Sequence, residues 1–485
     1  MWHHIRMTDV VLVRGDGIGP EIMDATLRVL DAAQAPLTFV EAMMGEKAYL
    51  AGAPSGIPQE AWDLVQKHRL IFKAPITTPQ GGGYKSLNVT LRKSLSLYAN
   101  VRPCIAYHPV IHSPCPGLDV VIIRENEEDT YGGIEHQQTA EVVQCLKLIS
   151  RPGCERIVRY AFEYARQHGR KRVSCFSKDN IMKLTDGLFH RVFEEVGKAY
   201  PDIEQDHWII DIGTARLATQ GQRFDVIVTL NLYGDIISDV AAELTGSVGL
   251  AGSANIGSSC AMFEAVHGSA PDIAGQGVAN PSGLILAGVQ MLVHLGHGAA
   301  AERIHNAWTR TLEDGLHTAD IYQSGRSEKR LGTEDFATAV IERLGEEPRR
   351  LRVARYPHEQ STICPVLTTQ APKTKRLDGV DIFLDWSEAG RDPNVLGQRL
   401  EALPTGRAKL AMISNRGTNV YPGGIAETFC TDHWRCRFLF EDAGTGADII
   451  ALLTVLHEHG WEVIKSENLY AFDGEKGYSK SQGGE

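Results

Sequence analysis

The chain has 485 residues, 43% of them hydrophobic and 22% charged, a balance that excludes intrinsic disorder and supplies material for a sizeable core. Lysine and arginine number 49 against 60 acidic residues, a net charge of −11, so no general attraction for nucleic acid or anionic membranes is expected. Any anion must be held by local basic residues against the overall field. No apolar run reaches the ~18 residues of a membrane span. The opening, Met1 to Met7, lacks the apolar stretch of a signal peptide, and Met7 is an alternative start. The nine cysteines are scattered without a CxxC pair, which predicts reduced structural thiols in a cytoplasmic protein.

Val10 to Val13 reads as a short buried strand, followed by a glycine turn and a helical pattern from Pro20 to about Ala33. Further strands are expected at Val120–Ile123, Val173–Phe176 and Phe224–Leu230, with helices over 155–168, 181–199 and 283–296. Such alternation across the first 345 residues predicts an α/β arrangement, a sheet covered by helices. Between Glu346 and Lys375, Pro348, Pro357, Pro365 and Pro372 stand among polar residues and read as a linker. Beyond it come a strand (Val380–Leu384), a helix (Asn394–Leu403), strands at Ala408–Ile413 and Trp434–Phe440, a helix (Ala447–His459) and a last strand from Glu462. That β-α-β-β-α-β succession is the ferredoxin-like order and predicts a separate α+β domain. The tail from Gly474 is expected to fray.

Three features carry chemistry. Gly15-Asp-Gly-Ile-Gly-Pro20 joins a strand to a helix, but its glycine spacing does not fit the dinucleotide fingerprint; by itself it reads as a structural turn or as a cofactor contact. Arg92, Arg102 and Arg124 each stand beside a turn or strand end, and converging guanidinium forks suit a polycarboxylate, against the plain reading of three solvated surface arginines. Asp235 and Asp239, four residues apart, share a face if their segment is helical, and Asp211 ends another apolar run. Oxygen-only ligands favour Mg²⁺ or Mn²⁺ over zinc, the plain reading being N-capping and solvation.

Taken in order, GDGIGPE, TTPQGGGYKSLNVTLR, RENEEDTYGG, NIMK, NLYGDIISD, GSANIG and HGSAPDIAGQGVANP resemble the isocitrate/isopropylmalate dehydrogenase family over about residues 8–345. The resemblance implies a large domain (1–102 and 247–345) and a small domain (103–246, with a clasp-like segment near 129–160) sharing one central sheet, with no Rossmann unit. Residues 346–372 form the linker, and 373–485 the C-terminal α+β domain. It also implies a homodimer that shares active sites between subunits. Longer family members carry an appendage similar to residues 373–485, here with Ser414-Asn-Arg-Gly-Thr-Asn, Thr431-Asp-His-Trp-Arg-Cys-Arg-Phe438 and Glu467-Asn-Leu-Tyr; subunit contact is its favoured role.

By the same resemblance, Arg92, Arg102 and Arg124 clamp substrate carboxylates, Tyr131 and Lys183 are the acid/base pair, and Asp211, Asp235 and Asp239 hold Mg²⁺ or Mn²⁺, with Asp239 also accepting a proton. Lys183 and Asp211 come from the second subunit. Ser86 and Asn88 present a hydroxyl and an amide to a third carboxylate, which favours isocitrate over an isopropyl side group; homoisocitrate and 3-isopropylmalate are the competing substrates. A non-catalytic regulatory subunit is disfavoured because the whole set is present. Lys73, Thr78, Asn88, Glu264, His267, Gly268, Ser269, Ala270, Asp272, Ile273 and Asn280 correspond to the nicotinamide-cofactor site. Asp272 and Ile273 stand where NADP-using relatives commonly carry cationic or phenolic donors. A carboxylate there repels a 2′-phosphate, so NAD is expected, with Tyr322 and Arg326 keeping NADP as the alternative.

Overall fold

Apolar runs buried on both faces, such as Val10–Val13 and Val226–Val228, form the centre of a mixed sheet in the computed structural model, which describes residues 7–77, 86–359, 363–369 and 371–480. The chain divides into two compact units. The first holds the residues up to Tyr131, Leu148–Ile181 and Asp186–Leu367; the second holds Gly132–Lys147, Met182–Thr185 and the residues from Thr368 on.

The strands of the first half are β1 (Thr8–Val13), β2 (Leu37–Glu41), β3 (Leu70–Lys73), β4 (Ala99–Ile105) and β5 (Asp119–Glu125). Hairpin strands β6 (Glu135–Gln137) and β7 (Val143–Cys145) follow, then β8 (Arg172–Ser177), β9 (Glu204–Ile209), β10 (Val226–Thr229), β11 (Gly252–Ile256) and β12 (Ala261–Ala265). Ten of them make one sheet in the order β2-β1-β3-β12-β11-β4-β5-β10-β8-β9. The flanks are parallel, whereas β12-β11-β4-β5 are antiparallel neighbours. Helices α1 (Gly19–Ala32), α2 (Glu46–Leu50), α3 (Gln59–His68), α4 (Leu87–Ser94), α5 (Arg151–Gln167), α6 (Thr185–Gly197), α7 (Ile210–Gln220), α8 (Asn231–Leu244), α9 (Ser282–His294), α10 (Gly298–Glu313) and α11 (Thr333–Glu342) accompany it. A two-residue pair, β13 (Leu316–His317) and β14 (Lys329–Arg330), completes this part.

The expected strands and helices are present with shifted ends. The helix expected from 181 starts at Thr185, because the backbone N–H of Lys178 donates to Asp186 Oδ2 (2.7 Å) and the intervening residues turn. β11 and β12 escape the periodicity reading: Gly252-Ser-Ala-Asn has weak strand propensity, and burial in mid-sheet overrides it. The glycine turn is structural. Ile18 N–H donates to Ser269 O (2.8 Å), and a Cβ on Gly17, at φ +58°, would stand 2.0 Å from that same carbonyl; only glycine permits this backbone-to-backbone approach.

In the second unit, β15 (Lys375–Asp385), α12 (Pro393–Glu401), β16 (Ala408–Asn415), β17 (Thr418–Tyr421), β18 (His433–Phe440), α13 (Gly446–Glu458), β19 (Glu462–Phe472) and β20 (Glu475–Lys476) form an antiparallel sheet with two helices. Its strand order is β17-β16-β18-β15-β19-β20. The inner four, β16-β18-β15-β19, have the spatial order of a ferredoxin-like β-α-β-β-α-β chain. A bidentate pair is buried inside it, Arg437 to Asp381 at 2.7 and 2.8 Å. The β6–β7 hairpin belongs to this unit: Thr139 donates to Asp432 (2.5 Å), Arg391 grips Glu141 through two bonds, and Lys465 donates to Gln144 (2.7 Å). The tail departs from the expected fraying as far as it is described. β20 pairs with β19, and Arg437 donates to Ser479 O. Among the described residues no helix is long and apolar enough to cross a membrane.

Candidate active site

Antiparallel neighbours β4 and β5 bring Arg102 and Arg124 together, both nearly buried. Neutral acceptors fix their guanidinium planes. Arg102 donates to Asn100 Oδ1 and Ser238 Oγ, both at 2.6 Å, and Arg124 donates through two nitrogens to Asn231 Oδ1 at 3.0 and 2.8 Å. Their remaining donors face α8, which starts two residues after β10. Arg124 pairs with Asp235, while Arg102 lies 3.6 Å from Asp235 and 3.3 Å from Asp239. Gly234 allows this approach, since a Cβ there would stand 2.5 Å from the Arg124 side chain.

Tyr131 donates its hydroxyl to Asp235 Oδ2 at 2.5 Å, and its ring lies 5.0 Å from the Arg124 guanidinium carbon. Burial, reinforced by that hydrogen bond, pushes the phenol pKa up, so it stays protonated. Burial also pushes Asp235 up, but Arg124 and Arg102 outweigh it and hold the carboxyl below its usual range. Asp239 is raised, by burial first; Arg102 opposes the rise and the charge of Asp235 adds to it. Arg124 is lowered to about 10 by burial and by Arg102 beside it.

Arg92, on α4, reaches the site through a buried carboxylate. Its guanidinium donates to Glu264 Oε1 (3.0 Å), Lys73 stands 2.7 Å from Glu264 Oε2, and Asn255 donates to Oε1 (2.8 Å). Lys73 has no exposed surface, so its ammonium can meet a ligand only indirectly, through the order it imposes on Glu264 and Arg92. Ser86 is the N-cap of α4, its hydroxyl accepting from Val89 N–H (3.5 Å). Among the described residues, Arg92 Nε and Asn88 Oδ1 are buried polar atoms without a partner; an orphan donor of positive charge is a place for an anion.

The cofactor candidates follow β12. His267 and Gly268 open a loop in which Ser269 bonds Thr77 (2.9 Å) and Ala270 takes a left-handed backbone, φ +37°. His267 Nε2 is buried without a partner. Asp272 and Ile273 lie on an exposed helical turn, Pro271–Ile273. The backbone carbonyl of Asp272 accepts from Gln276, so it is the main chain and not the carboxylate that closes this turn. Asn280 donates to Asp320 (2.9 Å), which also accepts from Ser247 (2.6 Å) and Thr318 (2.6 Å). Thr78 lies outside the described residues.

Two further residues of the expected set lie on exposed stretches of chain. Lys183 is exposed in the turn before α6. Asp211 is exposed at the start of α7, where Lys178 donates to it (2.7 Å) and holds its carboxyl below the usual range; among the described residues no contact joins it to Asp235 or Asp239. Sequence reading missed Asn100, Asn231 and Ser238, which aim the arginines. Asn231 and Ser238 fall inside the quoted NLYGDIISD segment, so their signal was a fixed offset from the aspartates.

An arginine pair, a protonated phenol and two helix-borne carboxylates at the middle strands of a mixed, non-Rossmann sheet suit an enzyme for small polycarboxylates. Comparison with known proteins makes this specific. Residues 9–340 match "Isocitrate/isopropylmalate dehydrogenase" and residues 375–484 match "Bacterial isocitrate dehydrogenase, C-terminal domain". The chain belongs to the isocitrate/isopropylmalate dehydrogenase family, in its long form with the extra C-terminal domain. It is 52% identical over 483 residues to Isocitrate dehydrogenase [NADP] of Rickettsia bellii, covering 98% of this chain and 99% of the relative. It is 45% identical to Isocitrate dehydrogenase [NADP] of Thermus thermophilus, covering 98% and 95%. A crystal structure of a Thermus thermophilus protein superposes with a TM-score of 0.91 at 44% identity, covering 98% of this chain and 96% of that one. The cofactor named for both relatives is NADP, at variance with the NAD expected from Asp272 and Ile273.

Proposed function

We propose that the chain oxidises and decarboxylates isocitrate to 2-oxoglutarate and CO₂, with NADP as hydride acceptor and Mg²⁺ or Mn²⁺ as cofactor. The observation that carries this reading is the convergence of Arg102, Arg124 and Tyr131 on the α8 carboxylates. Arg92 and Asn88 beside Ser86 offer polar groups for a third carboxylate, and a third carboxylate is what separates isocitrate from 3-isopropylmalate.

The donor set fits a hard divalent cation. Asp235 and Asp239 present oxygens one helical turn apart, both partly exposed, and their mutual repulsion is relieved by a cation. Asp211 of a second subunit completes the set in this proposal. Exposed Ile212 on α7 and Ile236 on α8 supply apolar surface for such a dimer. Asp235 and Asp239 would hold the ion, which would supply Lewis acidity at the substrate's alcohol group. Arg102 and Arg124 exchange their aspartate contacts for substrate carboxylates, and their amide and hydroxyl partners keep the planes in place. Lys183 of a second subunit, assisted by Asp239, receives the single hydroxyl proton as hydride leaves the carbon. Tyr131, kept protonated, delivers a proton to the carbon that CO₂ vacates.

For the cofactor, two exposed residues beyond β13, Tyr322 and Arg326, are the candidate donors to a 2′-phosphate. NAD remains the second reading, favoured by the exposed carboxylate of Asp272. Steady-state kinetics with Mg²⁺ and each cofactor in parallel, on isocitrate, homoisocitrate and 3-isopropylmalate, tests both points. Isocitrate with NADP is expected to give the highest kcat/KM; a preference for 3-isopropylmalate would overturn the substrate assignment.

A further inference from the structure

Behind the turn that carries Asn180, three metal-ligating side chains from three elements meet outside the site described above. Asp179 follows β8, His190 lies on α6 and His207 on edge strand β9. Asp179 Oδ2 is 2.7 Å from His190 Nδ1, and Asp179 Oδ1 is 3.7 Å from His207 Nε2. One ligand atom from each residue lies within 4.8 Å of the other two. The two imidazoles stack with centroids 3.6 Å apart and planes 14° from parallel. Each side chain is about one-fifth exposed, so the cluster is reachable from solvent yet held by its surroundings.

We propose that Asp179, His190 and His207 form a transition-metal site for Zn²⁺, Co²⁺ or Ni²⁺, separate from the Mg²⁺ or Mn²⁺ site on α8. Two imidazoles and one carboxylate are a donor set for these ions, whereas Mg²⁺ prefers oxygen alone. Ligand atoms around a tetrahedral zinc are separated by about 3.3 Å, given bonds near 2.0 Å. The carboxylate-to-imidazole distances of 2.7 and 3.7 Å bracket that value, and the stacked rings must turn out of their near-parallel planes for both lone pairs to point at one ion. Three protein ligands leave a fourth position for water. A second observation supports the assignment: Glu194 Oε1 lies 3.7 Å from His190 Nε2, on the ring nitrogen opposite the one facing Asp179. That is the place of the outer carboxylate that orients a metal-bound imidazole. Ser177, whose hydroxyl lies 2.8 Å from His207 Nε2, is the group the ion displaces.

The test is Co²⁺ binding to the intact protein in saturating Mg²⁺, followed by the visible d–d absorption of tetrahedral cobalt and by metal content after gel filtration. About one tight equivalent per chain with an intense visible band is expected. His190→Ala and His207→Ala each abolish the band, and Glu194→Gln weakens binding by about 10–100-fold. His3→Ala/His4→Ala removes the adjacent histidines at the start of the sequence and leaves the band unchanged. Absence of a tetrahedral band, or a band that survives His190→Ala/His207→Ala with native circular dichroism, overturns the proposal. Activity on isocitrate enters neither readout, so this result and the test of the proposed function stand apart.

Discussion

Glu264→Gln is the most informative perturbation, because one buried carboxylate holds both a hidden lysine and Arg92, the arginine proposed to meet the substrate. Its oxygens stand 2.7 Å from Lys73 Nζ and 3.0 Å from Arg92. At an effective dielectric of about 20, unit charges 2.7 Å apart attract by ~6 kcal/mol before desolvation is counted. Removing one partner of a buried pair costs about 3–5 kcal/mol, and here it strands an ammonium with no exposed surface. At about 1–3 °C per kcal/mol for a unit of this size, the thermal midpoint falls by roughly 3–15 °C. Scanning calorimetry at matched protein concentration reads this, and the KM for isocitrate rises in parallel as Arg92 loses its anchor. Lys73→Met combined with Glu264→Gln is less destabilised than the two single losses summed, because no lysine charge is left stranded. The pH dependence carries a sign. Lys73 and Arg92 overcome the burial that favours the acid form and hold Glu264 far below the usual glutamate range. A depressed carboxylate contributes fully above its unfolded pKa of about 4.3 and loses that contribution as pH falls further. Wild-type stability therefore declines more steeply than the variant's in acid. An unchanged midpoint together with an unchanged KM would refute the reasoning.

Tyr131→Phe keeps the ring beside Arg124 and removes the proton donor, so kcat falls by about 10²–10⁴-fold with little change in KM for isocitrate; an unchanged kcat takes Tyr131 out of the chemistry. Arg326→Ala lowers kcat/KM for NADP by about tenfold or more and spares NAD, since only one of the two presents a 2′-phosphate; an equal effect on both removes that role. Chelation by EDTA abolishes turnover and Mg²⁺ restores it, whereas Asp239→Asn raises the Mg²⁺ concentration needed for half-activity. Asp381→Asn strands Arg437 in the interior of the C-terminal sheet and costs that unit about 3–5 kcal/mol; limited proteolysis releasing the unit at a lower temperature is the expected signature.

The elements most legible in the sequence are those whose pattern has one physical solution. Val10–Val13 and Val226–Val228 are apolar on every side and could only be central strands, and the β-α-β-β-α-β succession after residue 375 matches the observed sheet order. Less legible were elements decided by neighbours. β11 is a central strand made of small and polar residues, and Ser238 looks like any helical serine until Arg102 donates to it. The β6–β7 hairpin carries no signal of its own that it groups with residues from Thr368 on; its ties are single pairs such as Arg391–Glu141, far apart in sequence.

The amino-acid order by itself determined the family, the long form and the identity of the charged residues, because motif spacing is a property of the linear chain. Only the tertiary structure decided which arginine faces which aspartate, that Lys73 is sealed away behind Glu264, and that Asp179, His190 and His207 share one spot. Charge interactions are set by distance and burial, and neither is defined until strands from remote stretches of chain lie side by side.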